Sequence, residues 1–98
     1  MKKRQVIEKV EYSKQFQEDY KKSSENIKRA FRDSLDLFLF DPHNPFLRNH
    51  ALREEYKGYR SIDVTGDWRA VFREFQQGSI IIFELLRTHE RLYKNKLN

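Results

Sequence analysis

The chain contains no cysteine, three glycines, two prolines and three histidines. Each scarcity excludes something. Without cysteine there are no disulfides, no thiolate nucleophiles and no thiolate zinc sites. So little glycine and proline argues against a loop-dominated or disordered chain, and no glycine-rich loop is available to cradle a nucleotide phosphate. His43, His50 and His89 are scattered, without the spacing of a metal-binding helix and without a carboxylate cluster, so neither a metal nor another cofactor is expected. No apolar run follows Met1-Lys2-Lys3-Arg4, and none approaches the roughly 20 residues of a membrane span. A soluble cytoplasmic protein without a signal peptide or membrane contact is the expectation.

What remains is basic and aromatic. The net charge is +5 with a pI near 9.6, which favours a polyanionic partner, although the excess is not concentrated in either half. Eight Phe and five Tyr supply a core of few, large side chains. At 98 residues the chain suits one domain, spanning residues 1–98, with a single hydrophobic core.

Gln5 to Tyr12 is rich in Val, Ile and Tyr and reads as a strand. Ser13 can cap a helix carrying Phe16 and Tyr20 one turn apart, and Ser23-Ser24 interrupts it and can cap a second. The second helix places Ile27, Ala30, Phe31, Ser34, Leu35 and Phe38 on one apolar stripe until Asp41-Pro42 ends it. Residues 41–57 read as a long connection. Tyr59 to Val64 then passes through Thr65-Gly66 into Asp67 to Phe75, a tight hairpin in which Gly66 is expected to take the unusual backbone angles. Gln76-Gln77-Gly78-Ser79 turns into a last strand, Ile80 to Leu86, and the tail from Thr88 suits a short helix. The order β-α-α-β-β-β predicts an α+β fold, a small antiparallel sheet with two N-terminal helices on one face. The opposite face is then the place for an open, polar site.

Chemistry-bearing residues gather at the ends of these strands. Tyr59-Arg60, Gly66-Asp67-Trp68-Arg69 and Arg87-Thr88-His89-Glu90-Arg91-Leu92-Tyr93 combine cations, imidazole and a phenol. Breaking RNA without a metal needs a base for the ribose 2′-OH, cations for the phosphate and an acid for the departing 5′-oxygen. Histidine is the residue type whose reference pKa best suits acid or base work near neutrality, which makes His50 and His89 the candidates. Arg69 and Arg87 can fork onto a phosphate, and Trp68 and Tyr93 can stack on a base. Each residue also has a plain structural use: a solvated histidine, a core tryptophan, a turn-capping Asp67, a surface Arg60. Which histidine is acid and which is base is left open.

The segment NHALREEYKGYRSIDVTGDWRAVF, followed by ELLRTHERLY, resembles the RelE/ParE toxin superfamily, and most closely its YafQ-type branch of ribosome-dependent mRNA interferases. The likeness in element order covers essentially the whole chain and is sharpest from His50 to Tyr93. It implies a toxin of a type II toxin–antitoxin pair: an endoribonuclease that cuts mRNA on the ribosome, monomeric when free and held by a cognate antitoxin. By position, His50, Asp67, Trp68, His89 and Tyr93 match the branch's active centre. Arg69 and Arg87 match arginines of the RelE branch, and Arg60 stands where that branch has lysine. Asp63 occupies a position where a YafQ-type enzyme can carry histidine, which leaves the division of acid and base work open. Two other readings fit the same fold: a ParE-like inhibitor of DNA gyrase, and a non-catalytic module that only holds a partner.

Overall fold

The computed structural model of the chain describes residues 6–94. Strand β1 (Lys9–Tyr12) leads into helices α1 (Lys14–Lys22) and α2 (Glu25–Phe40). Then come β2 (His50–Ala51), β3 (Arg60–Asp63), β4 (Trp68–Phe75), β5 (Ile80–Thr88) and a short helix α3 (His89–Tyr93). The helix starts fall where the sequence puts them. The Ser13 hydroxyl accepts the Phe16 N–H at 3.0 Å, and Ser24 accepts the Ile27 N–H at 3.3 Å, each supplying one otherwise orphaned donor with a partner.

The five strands form one mixed sheet in the order β1-β5-β4-β3-β2. Strands β2 to β5 are an antiparallel meander, as the short connections require. Strand β1 departs from that pattern and pairs parallel to β5, with Val10 beside Ile81. It is also shorter than the predicted Gln5–Tyr12 run, whose Gln5 lies outside the described residues. Parallel pairing lets the chain pass from β1 straight into α1, which continues along the edge of β5. The Ser13 N–H donates to Phe83 O, its hydroxyl to Glu84 O, and further on Asp19 accepts the Leu86 N–H. Helix α1 therefore takes over the edge of β5 where β1 ends, and the exposed ladder of that strand is satisfied.

Both long helices cover one face of the sheet. Phe16, Phe31 and Phe38 pack onto Ile62, Ala70, Phe72, Ile81, Phe83 and Leu86, all nearly or fully excluded from solvent. The rings meet edge-on or tilted, as Phe31 does on Phe83 and Phe38 on Phe72. Register shifts by one residue between Val71 and Phe72, which oppose Leu85 and Phe83, so Glu84 is the extra residue of a bulge. A smaller cluster lies on the other face, where Leu52, Val71 and Leu92 are joined by Tyr56, Tyr59, Leu85 and Tyr93. That face is thus partly covered by α3 and the 3-10 turn Glu54–Tyr56, and partly open.

Two local expectations are corrected. Residues 41–57 are not one long connection: they contain 3-10 turns at Pro45–Leu47 and Glu54–Tyr56 and the strand β2, which puts His50 on a sheet edge. Gly66 takes no left-handed angle. Thr65 makes that turn instead, its Oγ1 accepting the N–H groups of both Asp67 and Trp68 at 3.2 and 3.1 Å. The next hairpin does use left-handed residues, at Gln76, Gln77 and Gly78, with φ of 50°, 59° and 87°.

Candidate active site

Side chains alternate across a strand, so the pattern that buries Ile62 and Ala70 under the helices sends Ser61, Asp63 and Arg69 to the other face. Pairing brings them together: His50 lies opposite Ser61 in β2 and β3, and Asp63 opposite Arg69 in β3 and β4. Helix α3 closes over this corner. A cleft of about 110 Å³ results, with Arg48, His50, Ser61, Asp63, Arg69 and His89 as its polar wall. Leu52, Leu92 and Tyr93 form the rest. A larger hollow of about 470 Å³ lies among Tyr12, Phe16, Tyr20, Phe31 and Leu35, but it is mainly aromatic and holds no acid–base pair.

Arg69 is fixed before any ligand arrives. Its Nη1 donates to the carbonyls of Thr65, Gly66 and Trp68 at 3.0, 3.2 and 3.0 Å, and its Nε lies 3.2 Å from Asp63 Oδ1. The other Asp63 oxygen faces Arg48 Nε at 3.5 Å. The His50 Nδ1 stands 2.6 Å from the Arg48 carbonyl. A carbonyl only accepts, so Nδ1 is the donor of that bond, and in the neutral ring Nε2 is the nitrogen with the lone pair. On the far side, Thr88 caps α3 through its hydroxyl, the His89 N–H donates to Asp67 O at 2.7 Å, and the His89 ring lies 4.9 Å from that of Tyr93. Tyr56 supports this wall from beneath, donating its hydroxyl to Leu92 O at 2.9 Å. Burial pushes the Tyr56 phenol up, Glu55 and Tyr93 add to it, and only the Arg87 guanidinium pulls the other way.

The structure therefore brings together His50, Arg69, His89 and Tyr93, and places the other four predicted residues elsewhere. Arg87 does pair with Arg69 in register, but its side chain turns to Asp19, with Nε 3.0 Å from Oδ2. It is not part of the cleft wall. Arg60 is held by Asn49 Oδ1 at 2.9 Å. Trp68 packs on the helix-covered core, and Asp67 is exposed, meeting α3 through its backbone carbonyl. Conversely, Arg48, Ser61 and Asp63 belong to the cleft and were not among the expected functional residues. Strand alternation could have found Ser61 and Asp63, since both share the face of Arg69. Nothing local announces Arg48, whose left-handed conformation (φ 50°, ψ 46°) turns it toward Asp63. Among the described residues no three His, Asp or Glu side chains lie together to hold a metal ion, and no helix is long and apolar enough to cross a membrane.

The fold is that of the RelE/YafQ-type toxins. It superposes on YafQ from Escherichia coli strain BL21(DE3) with a TM-score of 0.72 and 25% identity, over 86% of this chain and 96% of that one. It also matches YafQ in the E. coli DinJ–YafQ toxin–antitoxin complex (TM-score 0.70, 24% identity, 89% and 99% coverage). A YoeB/ParE toxin from Agrobacterium tumefaciens matches at 0.68 and 19% identity, over 83% and 98% of the two chains. No curated protein matches significantly in sequence. The family model for the bacterial toxin YafQ of type II toxin–antitoxin systems matches residues 8–94, and the chain belongs to that family.

Proposed function

We propose that this toxin is an endoribonuclease that cuts mRNA in the ribosomal A site and so blocks translation. The observation that carries the reading is the convergence of two histidines, an anchored arginine and a tyrosine on one cleft. His50, with its lone pair on Nε2, takes the proton of the ribose 2′-OH. The 2′-oxygen attacks phosphorus, the bond to the 5′-oxygen breaks, and His89 delivers a proton to that leaving oxygen. The products are a 2′,3′-cyclic phosphate and a 5′-hydroxyl, with no metal or cofactor taking part. Arg69 steadies charge on the phosphate, already oriented by three carbonyls, and Tyr93 stacks on a base beside His89. Asp67 and Arg87 act by position, one setting the start of α3 and the other tying β5 to helix α1 through Asp19, while Trp68 packs on the helix-covered core and Arg60 is held by Asn49, so RNA contact by these two lies outside the cleft.

The ribosome supplies much of the substrate orientation, so the isolated toxin is nearly inactive on free RNA. That substrate places the toxin in the cytoplasm. As in the DinJ–YafQ complex, a cognate antitoxin is the regulating partner, and the +5 charge suits an acidic antitoxin segment that orders on binding. The free toxin, one domain over residues 1–98, is monomeric.

The test is a reporter mRNA in a translation extract. In-frame cleavage leaving 5′-hydroxyl ends is expected, and His89→Ala slows single-turnover cleavage by roughly 10²–10⁴-fold while ribosome binding is retained. Equal cleavage of naked RNA removes the ribosome from the reaction. Parental cleavage by His89→Ala removes the acid–base role. Intact mRNA with trapped gyrase–DNA complexes moves the activity to DNA gyrase.

A further inference from the structure

Two features of the cleft have no part in the proton transfers. One is Ser61, 2% exposed, whose Oγ is the single buried side-chain polar atom without a hydrogen-bond partner among the described residues. A buried hydroxyl left unpaired is unfavourable, and a native fold that keeps one at a cleft wall points to a ligand that completes it. The other is Asp63, whose two oxygens separately meet the Nε atoms of Arg69 and Arg48.

We infer that Ser61 and Arg48 complete, with Arg69, a seat for one RNA phosphate, and that Asp63 is a built-in competitor for that seat. A carboxylate offers two oxygens and one negative charge, as the non-bridging oxygens of a phosphodiester do, and guanidinium forks accept either. The exchange is like for like in charge. The two arginines differ in what they contribute. Arg69 is half-buried and immobilised by carbonyls, so it fixes the place of the anion. Arg48 has a side chain 73% exposed on a left-handed backbone and can follow the phosphate as Asp63 yields. Ser61 pairs with His50 in the ladder and lines the same cleft as both arginines, so its hydroxyl is the neutral donor of the seat. Asp63 is then a residue that sets how strongly the cleft holds a phosphate, by charge competition and not by proton transfer. The inference rests on the nuclease reading only for the source of the phosphate.

The experiment titrates inorganic phosphate into the purified 98-residue chain, followed by amide NMR shifts, and repeats the titration with a short 2′-deoxy-substituted RNA that cannot be cleaved. Asp63→Asn keeps the shape and removes the charge, and it is expected to bind both probes about tenfold more tightly. Ser61→Ala is expected to bind about fivefold more weakly while melting at the same or a higher temperature, because it deletes an unpaired buried hydroxyl. Arg48→Gln, at an exposed position that does not threaten folding, weakens phosphate several-fold. Affinity of Asp63→Asn equal to or below the parent overturns the competition. Affinity of Ser61→Ala and Arg48→Gln equal to the parent overturns the seat. Failure of mRNA cleavage with these shifts intact overturns the nuclease reading alone, whereas cleavage without them overturns this inference alone.

Discussion

Replacing Asp19 by alanine tests whether Arg87 is held by the fold or by the chemistry. The Asp19 side chain is 5% exposed and accepts from the Leu86 N–H at 3.1 Å, from Arg87 Nε at 3.0 Å and from the Gln15 amide at 2.9 Å. Its removal leaves a buried backbone donor on β5 unpaired, worth about 1–3 kcal/mol. The Arg87 side chain is 22% exposed and partly rehydrates, so the lost ion pair adds about 1 kcal/mol. Asp19→Ala is therefore expected to destabilise by about 2–4 kcal/mol, a large share of the roughly 5–15 kcal/mol typical of a domain. At about 4–8 °C per kcal/mol for a chain of this size, the melting temperature falls by roughly 8–32 °C. Arg87→Ala strands the carboxylate and costs about 3 kcal/mol, and the double variant is less destabilised than the sum by about 1–2 kcal/mol. Urea denaturation of the parent, both single variants and the double variant measures that cycle. Additive losses would show that the two side chains do not act on each other. An Arg87→Ala protein as stable as the parent yet slow in cleavage would return Arg87 to the reaction itself.

Other expectations follow from the same geometry. Val71 is fully buried between Ser61 and Leu85 in the sheet, so Val71→Asp desolvates a carboxylate and lowers stability by several kcal/mol, roughly 3 or more, read by thermal melting; a variant that melts like the parent would dissolve the β3–β4–β5 meander. Burial raises the Tyr12 and Tyr56 phenols above 10.0. A raised folded pKa means stability present below about pH 10 and lost as the pH climbs through the folded value. Chemical denaturation across pH 9–12 is expected to show a decline that is shallower in the Tyr12→Phe, Tyr56→Phe double variant, and an equal decline would contradict it. At neutral pH, Tyr56→Phe also loses the bond to Leu92 O, about 1 kcal/mol, and loosens α3 as read by amide exchange.

The sequence by itself determined the elements and their faces. The serines at 13 and 24 start the helices, the stripe from Ile27 to Phe38 marks what they bury, and the turn-bounded runs Asp67–Phe75 and Ile80–Leu86 mark strands, because these signals act within a few residues of one another. The resemblance carried by His50, Asp67, Trp68, His89 and Tyr93 also pointed to the family whose model matches the chain. Gly66 was misread because a glycine at a turn signals permission and not use, while the Thr65 hydroxyl could close the turn without it.

Only the tertiary structure decided which cations face the cleft. Arg69 and Arg87 are indistinguishable in sequence, each on a strand that adjoins the other's. One is kept at the cleft by three local carbonyls, and the other is drawn away by Asp19, 68 residues distant, at the edge that α1 inherits from β1. The parallel placement of β1 that brings α1 there is a choice among edges of a finished sheet, which no local pattern encodes. Arg48, Ser61 and Asp63 meet for the same reason: β2, β3 and the turn before them converge only once the strands are laid side by side, and charge then selects the partners.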